Sequence, residues 1–421
     1  DFFLVKSIYK YPNYYFCRMD NSTIKNNVSD RVNNLSESAT IAMARKSREL
    51  KLQGIDVISL SLGEPDFNTP DFIKEAAIEG IHQNYSKYMA VNGYEDFRDA
   101  ISMKFKRDNN INYSPNQIVV STGAKQSIAN VVLSCVNPGD EVIVPTPFWV
   151  SYEEIIKMAE GIPVFIETSI ENDFKISPSQ LQKAITEKTK MMIYSSPCNP
   201  SGSVYSKDEL RSLADILVQF PEITVVSDEI YEHINFTNNY FSMGAFNDMY
   251  NQVVTVNGVS KSFAMTGWRL GYIGAPEWIA KACTKIQGQF TSGTSGISQR
   301  AAIAAISSSP SVVNEMKSAF LKRRDFVLTE LKKINGIRVN KPQGAFYVFP
   351  DISAFFNKSY DQFNINNADD LTMYLLETAK VALVTGNAFG SPNCVRISYA
   401  SSIISLKEAM SRIGASLDKL V

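Results

Sequence analysis

Between residues 118 and 258 one pattern recurs: a short apolar run, a turn marked by glycine, proline, asparagine or aspartate, and a longer stretch of helical composition. The strand-like runs fall at 118–121, 141–144, 163–166, 191–195, 224–227 and 253–256. The helical stretches fall at 124–136, 150–159, 179–185 and 208–218. Runs this uniformly apolar suit strands buried on both faces, and a helix between strands is the crossover that a parallel sheet needs. The pattern predicts an α/β chain whose large domain is a mostly parallel sheet sandwiched by helices. Such sheets bind ligands beyond the carboxyl ends of their strands, and Asn199, Asp228 and Lys261 each stand just past a predicted strand.

After residue 292 the pattern changes. A glycine- and serine-rich stretch over 292–298 reads as a loop, a helical region covers 300–334, and strands at 337–340, 345–349, 381–384 and 395–398 alternate with helices at 368–380 and 406–420. This is the composition of a separate, smaller α+β domain. A helix expected over 36–52 should pack with it. The expected division is a poorly ordered leader over 1–31, a small domain over 32–60 and 300–421, and a large domain over 61–299.

The 421 residues carry 42 basic and 43 acidic side chains, a net charge of −1, so no electrostatic footprint for nucleic acid or an anionic membrane is present. The expected partner is a small molecule. With only two histidines, His82 and His233, and five scattered cysteines (Cys17, Cys135, Cys198, Cys283 and Cys394), no metal site is predicted, and the thiols read as free in a reducing, cytoplasmic setting. No apolar run approaches the length of a membrane span.

Chemistry concentrates in the stretch Gly-Val-Ser-Lys-Ser-Phe-Ala-Met-Thr-Gly-Trp-Arg at 258–269. Lys261, just past a buried strand and between Ser260 and Ser262, is placed to be partly desolvated, which favours the neutral, nucleophilic amine that a Schiff base requires. Arg269 supplies a planar fork for a phosphate and Ser260 a hydroxyl. Earlier, strand 118–121, Gly123 and the helix beginning at Ala124 and Lys125 form a strand, glycine turn and helix start, where free N–H groups and the helix dipole can receive an anion. An amine for an aldehyde beside a cradle for a phosphate points to pyridoxal phosphate.

Six motifs occur in order: Gly-Glu-Pro-Asp-Phe at 63–67, Thr-Gly-Ala-Lys-Gln at 122–126, Cys-Asn-Pro-Ser-Gly at 198–202, Ser-Asp-Glu-Ile-Tyr at 227–231, Ser-Lys-Ser at 260–262 with Arg269, and Val-Arg-Ile-Ser-Tyr at 395–399. Over about 32–421 the chain resembles the fold-type I, class I aminotransferases, the aspartate aminotransferase family, and within it the bacterial aspartate/prephenate branch. The resemblance implies an internal aldimine of pyridoxal phosphate at Lys261, which would also move the proton between the substrate Cα and the cofactor. It implies that Asp228 pairs with the pyridine nitrogen, that Tyr231 and Asn199 hydrogen-bond the phenolic oxygen, and that Trp149 stacks on the ring. The phosphate would lie against Gly123, Ala124, Lys125, Ser260 and Arg269, joined by Tyr88 of a second subunit in a homodimer with a shared site. Arg396, helped by Gly63, Asn199 and Trp149, would clamp the substrate α-carboxylate.

The implied activity is ping-pong transfer of an amino group from an L-amino acid, aspartate first, to 2-oxoglutarate. Prephenate, aromatic amino acids or alanine are the alternatives, followed by a lyase or decarboxylase on the same cofactor and, from another class, a non-catalytic ligand-binding module. Where the family's Asn-Pro-Thr-Gly is common, this chain has Asn199-Pro200-Ser201-Gly202. Where some members carry a side-chain-binding arginine it has Gln287, Gly288 and Gln289, while Lys125 and Thr40 match the branch that binds the distal carboxylate by a lysine and a threonine.

Overall fold

The structure, a computed structural model, describes residues 28–237 and 239–421. Residues 28–35 belong to a unit of their own and carry one helical turn, α1 (Asp30–Asn33), where the Ser29 hydroxyl accepts from the Val32 N–H. The remainder of the expected leader, with Cys17, lies outside the described residues.

From residue 36 the chain forms α2 (Ala39–Leu52), β1 (Ile58–Ser59), α3 (Asp71–His82), α4 (Glu95–Asn109), β2 (Ile118–Ser121), α5 (Ala124–Cys135), β3 (Glu141–Pro145), α6 (Ser151–Met158) and β4 (Ile162–Ile166). It continues with α7 (Pro178–Ala184), β5 (Thr189–Ser195), α8 (Lys207–Leu217), β6 (Thr224–Asp228), β7 (Val253–Gly258), β8 (Gly271–Gly274), α9 (Glu277–Phe290) and α10 (Gly296–Ser307). Seven strands make one sheet in the order β2-β8-β7-β6-β5-β3-β4. The valine-rich runs of β6 and β7 are covered on both faces, so Val225, Val226, Val253 and Val254 are fully buried. Helices α7 and α8 start where Ser177 and Ser206 close capping boxes with Gln180 and Glu209. Helix α8 turns Leu210, Leu213, Ala214 and Leu217 inward, the spacing of one helical face.

All neighbours in this sheet are parallel except β8, which runs antiparallel to both β7 and β2. That exception builds the site. Because β8 runs the other way, its first residue, Gly271, pairs with the last residues of its neighbours, Ser121 and Gly258. The segment entering β8, which carries Arg269, is thereby delivered to the same sheet edge as the ends of β5, β6 and β7, where Ser195, Asp228 and Val256 lie in register. A Cβ on Gly271 would collide with the backbone of Gly123 and Ala124, so only glycine lets the two segments approach this closely.

The remaining elements are α11 (Asn314–Leu331), β9 (Tyr347–Val348), β10 (Lys358–Tyr360), β11 (Phe363–Ile365), α12 (Ala368–Thr378), β12 (Val381–Ala382), β13 (Val384–Thr385), β14 (Val395–Ser398) and α13 (Ile403–Leu417). Strands β13, β14 and β9 form an antiparallel sheet, with Val384 opposite Arg396 and Ser398 opposite Tyr347. Around it packs a second core that includes Phe320, Leu331, Phe346, Leu371, Tyr374, Leu406 and Ile413. Helix α2 packs on β1, β12 and β13, as expected of the 36–52 segment.

Several expectations are corrected. The stretch 292–298 is not all loop: Ser295 caps α10, which begins at Gly296 and packs on α3 and α4. Residues 337–340 form no strand; Arg338 makes only an isolated bridge to Asp351, between the turn glycine Gly336 and Pro342. Strand 345–349 shortens to β9, because Ala345 adopts a positive φ of 56° and breaks the extended run. Helices α4 and α9, strand β8 and the β10–β11 hairpin were not anticipated. Cys135, Cys198, Cys283 and Cys394 are free and buried. Among the described residues no helix is long and apolar enough to cross a membrane.

Candidate active site

At the carboxyl edge of the large sheet lies a cavity of about 240 Å³ lined by Thr40, Gly63, Ala124, Lys125, Trp149, Asn199, Asp228, Tyr231, Ser260, Lys261, Arg269 and Arg396, among others. Eleven of these twelve were singled out from the sequence as site residues, and Thr40 as a match to the aspartate/prephenate branch. The twelve come from eight separate stretches of chain. Gly123 stands at the N-cap of α5 beside the cavity, with a φ of 85°, and a Cβ there would fall on the Arg269 guanidinium. Tyr88 is the exception: it is 98% exposed and does not line the cavity of its own chain.

Lys261 follows β7, and its Nζ donates to the Gly63 carbonyl at 2.5 Å. Burial drives its amine down to about 8; Glu64 opposes that shift, and the cations Arg396 and Arg269 reinforce it. Gly63 is confined too, since a Cβ there would overlap the Tyr347 hydroxyl.

Asp228 ends β6. Its Oδ2 accepts from the Tyr152 hydroxyl at 2.7 Å and its Oδ1 from the Ile230 N–H at 3.2 Å. Burial raises its carboxyl, and these two donors pull it back. The next functional residue, Tyr231, is buried and shares a 2.7 Å hydrogen bond with the Tyr347 hydroxyl on β9. Trp149 sits just before α6 with its ring edge-on to Tyr152, centroids 5.6 Å apart.

Arg396, on β14, is 2% exposed, and among the described residues no carboxylate pairs with it. Its Nη1 donates to Asn199 Oδ1 at 2.9 Å and its Nη2 to the Ser61 carbonyl at 2.5 Å, while its Nε has no acceptor. The guanidinium lies 4.6 Å from the ring centroid of Tyr347 and 4.9 Å from that of Phe389. An unpaired buried cation is expensive unless something else neutralises it, so this arrangement waits for an anion. Lys125 adds a second cation at the more open side of the cavity, its Nζ 5.0 Å from the Trp149 centroid and its amine lowered by desolvation and then by Arg269. The N–H groups of Ala124 and Lys125, as the first residues of α5, have no acceptor within the helix.

The cavity lining thus sets four cations, Lys125, Lys261, Arg269 and Arg396, against one carboxylate, Asp228. It suits a ligand carrying more than one negative charge. Two residues that sequence reading overlooked complete it: Tyr152, one helical turn beyond Trp149, and Tyr347, in the run Ala-Phe-Tyr-Val-Phe. A helical spacing of three from Trp149 could have flagged Tyr152; nothing local distinguishes Tyr347 from its core neighbours. Gln287, where an arginine was absent, is wholly buried and bonds Ser121, Asn130 and the carbonyls of Val91 and Val120. His233 lies 3.2 Å from a Glu232 carboxylate oxygen and 3.6 Å from one of Asp108, away from the cavity lining.

Comparison with known proteins gives the same direction. The family model described as aminotransferase class I and II matches residues 55–413. The bifunctional aspartate aminotransferase and glutamate/aspartate-prephenate aminotransferase of Petunia hybrida is 45% identical over 404 residues, spanning 95% of this chain and 84% of that protein. Among solved structures, the aspartate aminotransferase of Rhizobium meliloti superposes with a TM-score of 0.90 at 39% identity, over 94% of this chain and 99% of the other. That of Thermus thermophilus with maleate gives 0.88 at 37% identity, over 93% and 100%.

Proposed function

The chain belongs to the class I and II aminotransferases, and from that membership we propose that it binds pyridoxal phosphate at Lys261 and moves an amino group from L-aspartate to 2-oxoglutarate. The observation that carries this reading is the pairing of a desolvated amine, Lys261, with a buried carboxylate, Asp228, in a cavity otherwise lined by cations. The side chains fit the cofactor. Gly123 leaves open the space beside Arg269 that a Cβ would fill, the start of α5 and Ser260 offer donors to a phosphate, and Trp149 offers a ring face. When bound, pyridoxal phosphate supplies an aldehyde that captures the amino group and a ring that withdraws electrons from the bond to be broken.

The chain's own residues do the rest. Arg396, whose fork is only partly used by Asn199 and Ser61, receives the α-carboxylate by a bidentate contact and so orients Cα. Lys261 Nζ, neutral in an appreciable fraction near pH 8, takes the α-proton. Asp228 would hold a proton on the ring nitrogen by its charge, and Tyr231 and Asn199 would hydrogen-bond the phenolic oxygen. Lys125, with Thr40, receives the distal carboxylate of the donor. The Thermus thermophilus relative with maleate, itself a dicarboxylate, supports a two-carboxylate substrate. Prephenate, itself a 2-oxo acid, is a second acceptor worth testing, because the Petunia hybrida relative is named for it.

We place the junction of a large and a small domain at the cavity, whose lining joins Arg396 of β14 to residues at the carboxyl edge of the large sheet. We place Tyr88 in the site of a second subunit of a cytoplasmic homodimer; its exposure and its absence from its own cavity support this. The test is the visible spectrum of the purified protein as aspartate and then 2-oxoglutarate are added. Conversion to the amine form and back is expected; a spectrum indifferent to both would refute the proposed substrates.

A further inference from the structure

Asp228 carries the electrostatics of the proposed chemistry, yet it is buried, and burial by itself would favour its neutral form. Two donors work against that. One, the Ile230 N–H, is backbone and 3.2 Å away; the other, the Tyr152 hydroxyl, is closer at 2.7 Å and comes from a different element, the first turn of α6. The proton between the two side chains can be located. Tyr152 is 1% exposed, and its phenol is pushed far above its ordinary value by burial and by the adjacent carboxylate, so the hydroxyl keeps its hydrogen and Asp228 is the acceptor. Tyr152 is itself held by the edge-on Trp149 ring. The other titratable groups around Asp228 are Lys261 after β7, Cys198 after β5 and Tyr231 three residues on; Lys261 alone contributes a favourable charge, and its influence on Asp228 is smaller than that of either donor.

We propose that Tyr152 is a positioning residue: by donating to Oδ2 it fixes the Asp228 carboxylate as the charged partner that the cofactor's ring nitrogen meets. This rests on the reading of the site as a pyridoxal phosphate site. A buried tyrosine that merely satisfies its own hydroxyl is the plain alternative, and it predicts a change in stability without a change in titration.

The experiment compares wild type with Tyr152→Phe and Tyr152→His, measuring the dissociation constant for pyridoxal phosphate by equilibrium dialysis, the pH dependence of kcat/KM, and the melting temperature. Phenylalanine removes one oxygen and keeps the ring against Trp149, so the fold is expected to persist. The acid limb of the pH profile should move up by about one unit and pyridoxal phosphate should bind roughly tenfold more weakly, the effect of losing one charge-assisted donor. Because Tyr152 is not a proposed substrate ligand, kcat should fall while KM for aspartate stays within about twofold of wild type. Histidine, which keeps an N–H donor, should place the limb between the other two. A wild type that takes up no cofactor would sink the parent reading and this inference together. A wild type that binds cofactor beside a Tyr152→Phe protein with unchanged affinity and unchanged acid limb, whatever its melting temperature, overturns the role of Tyr152 alone; so does a histidine variant no nearer to wild type than phenylalanine.

Discussion

The sharpest consequence of the site geometry concerns the state of one amine before any cofactor arrives. Burial brings Lys261 down to about 8 from an ordinary 10.5, with Glu64 the largest charge acting the other way. At pH 7.5 an amine of pKa 8 is neutral in roughly a quarter of molecules, against about one in a thousand for an unperturbed lysine, a gain of a few hundredfold in nucleophile. Trace labelling of the cofactor-free protein with acetic anhydride, quantified on the peptide carrying residue 261 over a pH series, reads this directly. The midpoint is expected near 8, and Glu64→Gln should move it lower by removing the opposing charge. The same shift sets a stability slope. Between about 8 and 10.5 the unfolded chain holds a proton on this lysine that the folded chain has released, so folding becomes more favourable as pH rises through that window. Wild type should therefore gain stability relative to Lys261→Met from pH 8 to 10.5 and show no such relative change below about 7. A labelling midpoint above about 10 would refute the claim that the fold desolvates this amine.

Three further outcomes follow from named contacts. Arg396→Lys keeps the charge but loses the fork, so kcat/KM for aspartate should drop by roughly 10- to 100-fold, mostly through KM, in steady-state assays; an unchanged KM would remove Arg396 from the carboxylate. Gly63→Ala places a methyl group on the Tyr347 hydroxyl and should break the Tyr231–Tyr347 pair, at a cost of about 1–3 kcal/mol in urea unfolding together with slower cofactor capture; wild-type behaviour in both would show that the contact is not tight. Lys125→Ala should lower kcat/KM for aspartate by roughly tenfold or more and leave alanine within a few-fold. Equal losses with both donors would assign Lys125 to the phosphate or to packing instead.

Much of this was legible because parallel-sheet chemistry is punctuated chemistry. Asn199, Asp228 and Lys261 follow apolar runs at equivalent places, so their convergence could be argued before any coordinates. Gly123 was readable as the turn before a helix start and Gly63 as a helper of the carboxylate clamp, and each proves to face a side chain that a methyl group would strike. What escaped reading were elements whose signals are weak or contradictory. Strand β8 is Gly-Tyr-Ile-Gly, with glycine at both ends and only two side chains to pack; yet its reversed direction is what delivers Arg269 to the site. Helix α4 is crowded with charge, which masked the buried face of Phe97, Ala100, Ile101, Lys104 and Phe105 at helical spacing. Tyr152 and Tyr347 look like core aromatics because they are core aromatics; their hydroxyls acquire meaning only from partners 76 and 116 residues away.

The central claim is that the side chain at position 261 holds the cofactor covalently. Reducing the protein with borohydride in the presence of pyridoxal phosphate, digesting it and sequencing the modified peptide by mass spectrometry tests this directly. A pyridoxyl group on Lys261, blocked when Lys261→Ala is treated in the same way, is the predicted result. A modification spread over surface lysines, or one that leaves residue 261 free while activity persists, would contradict it.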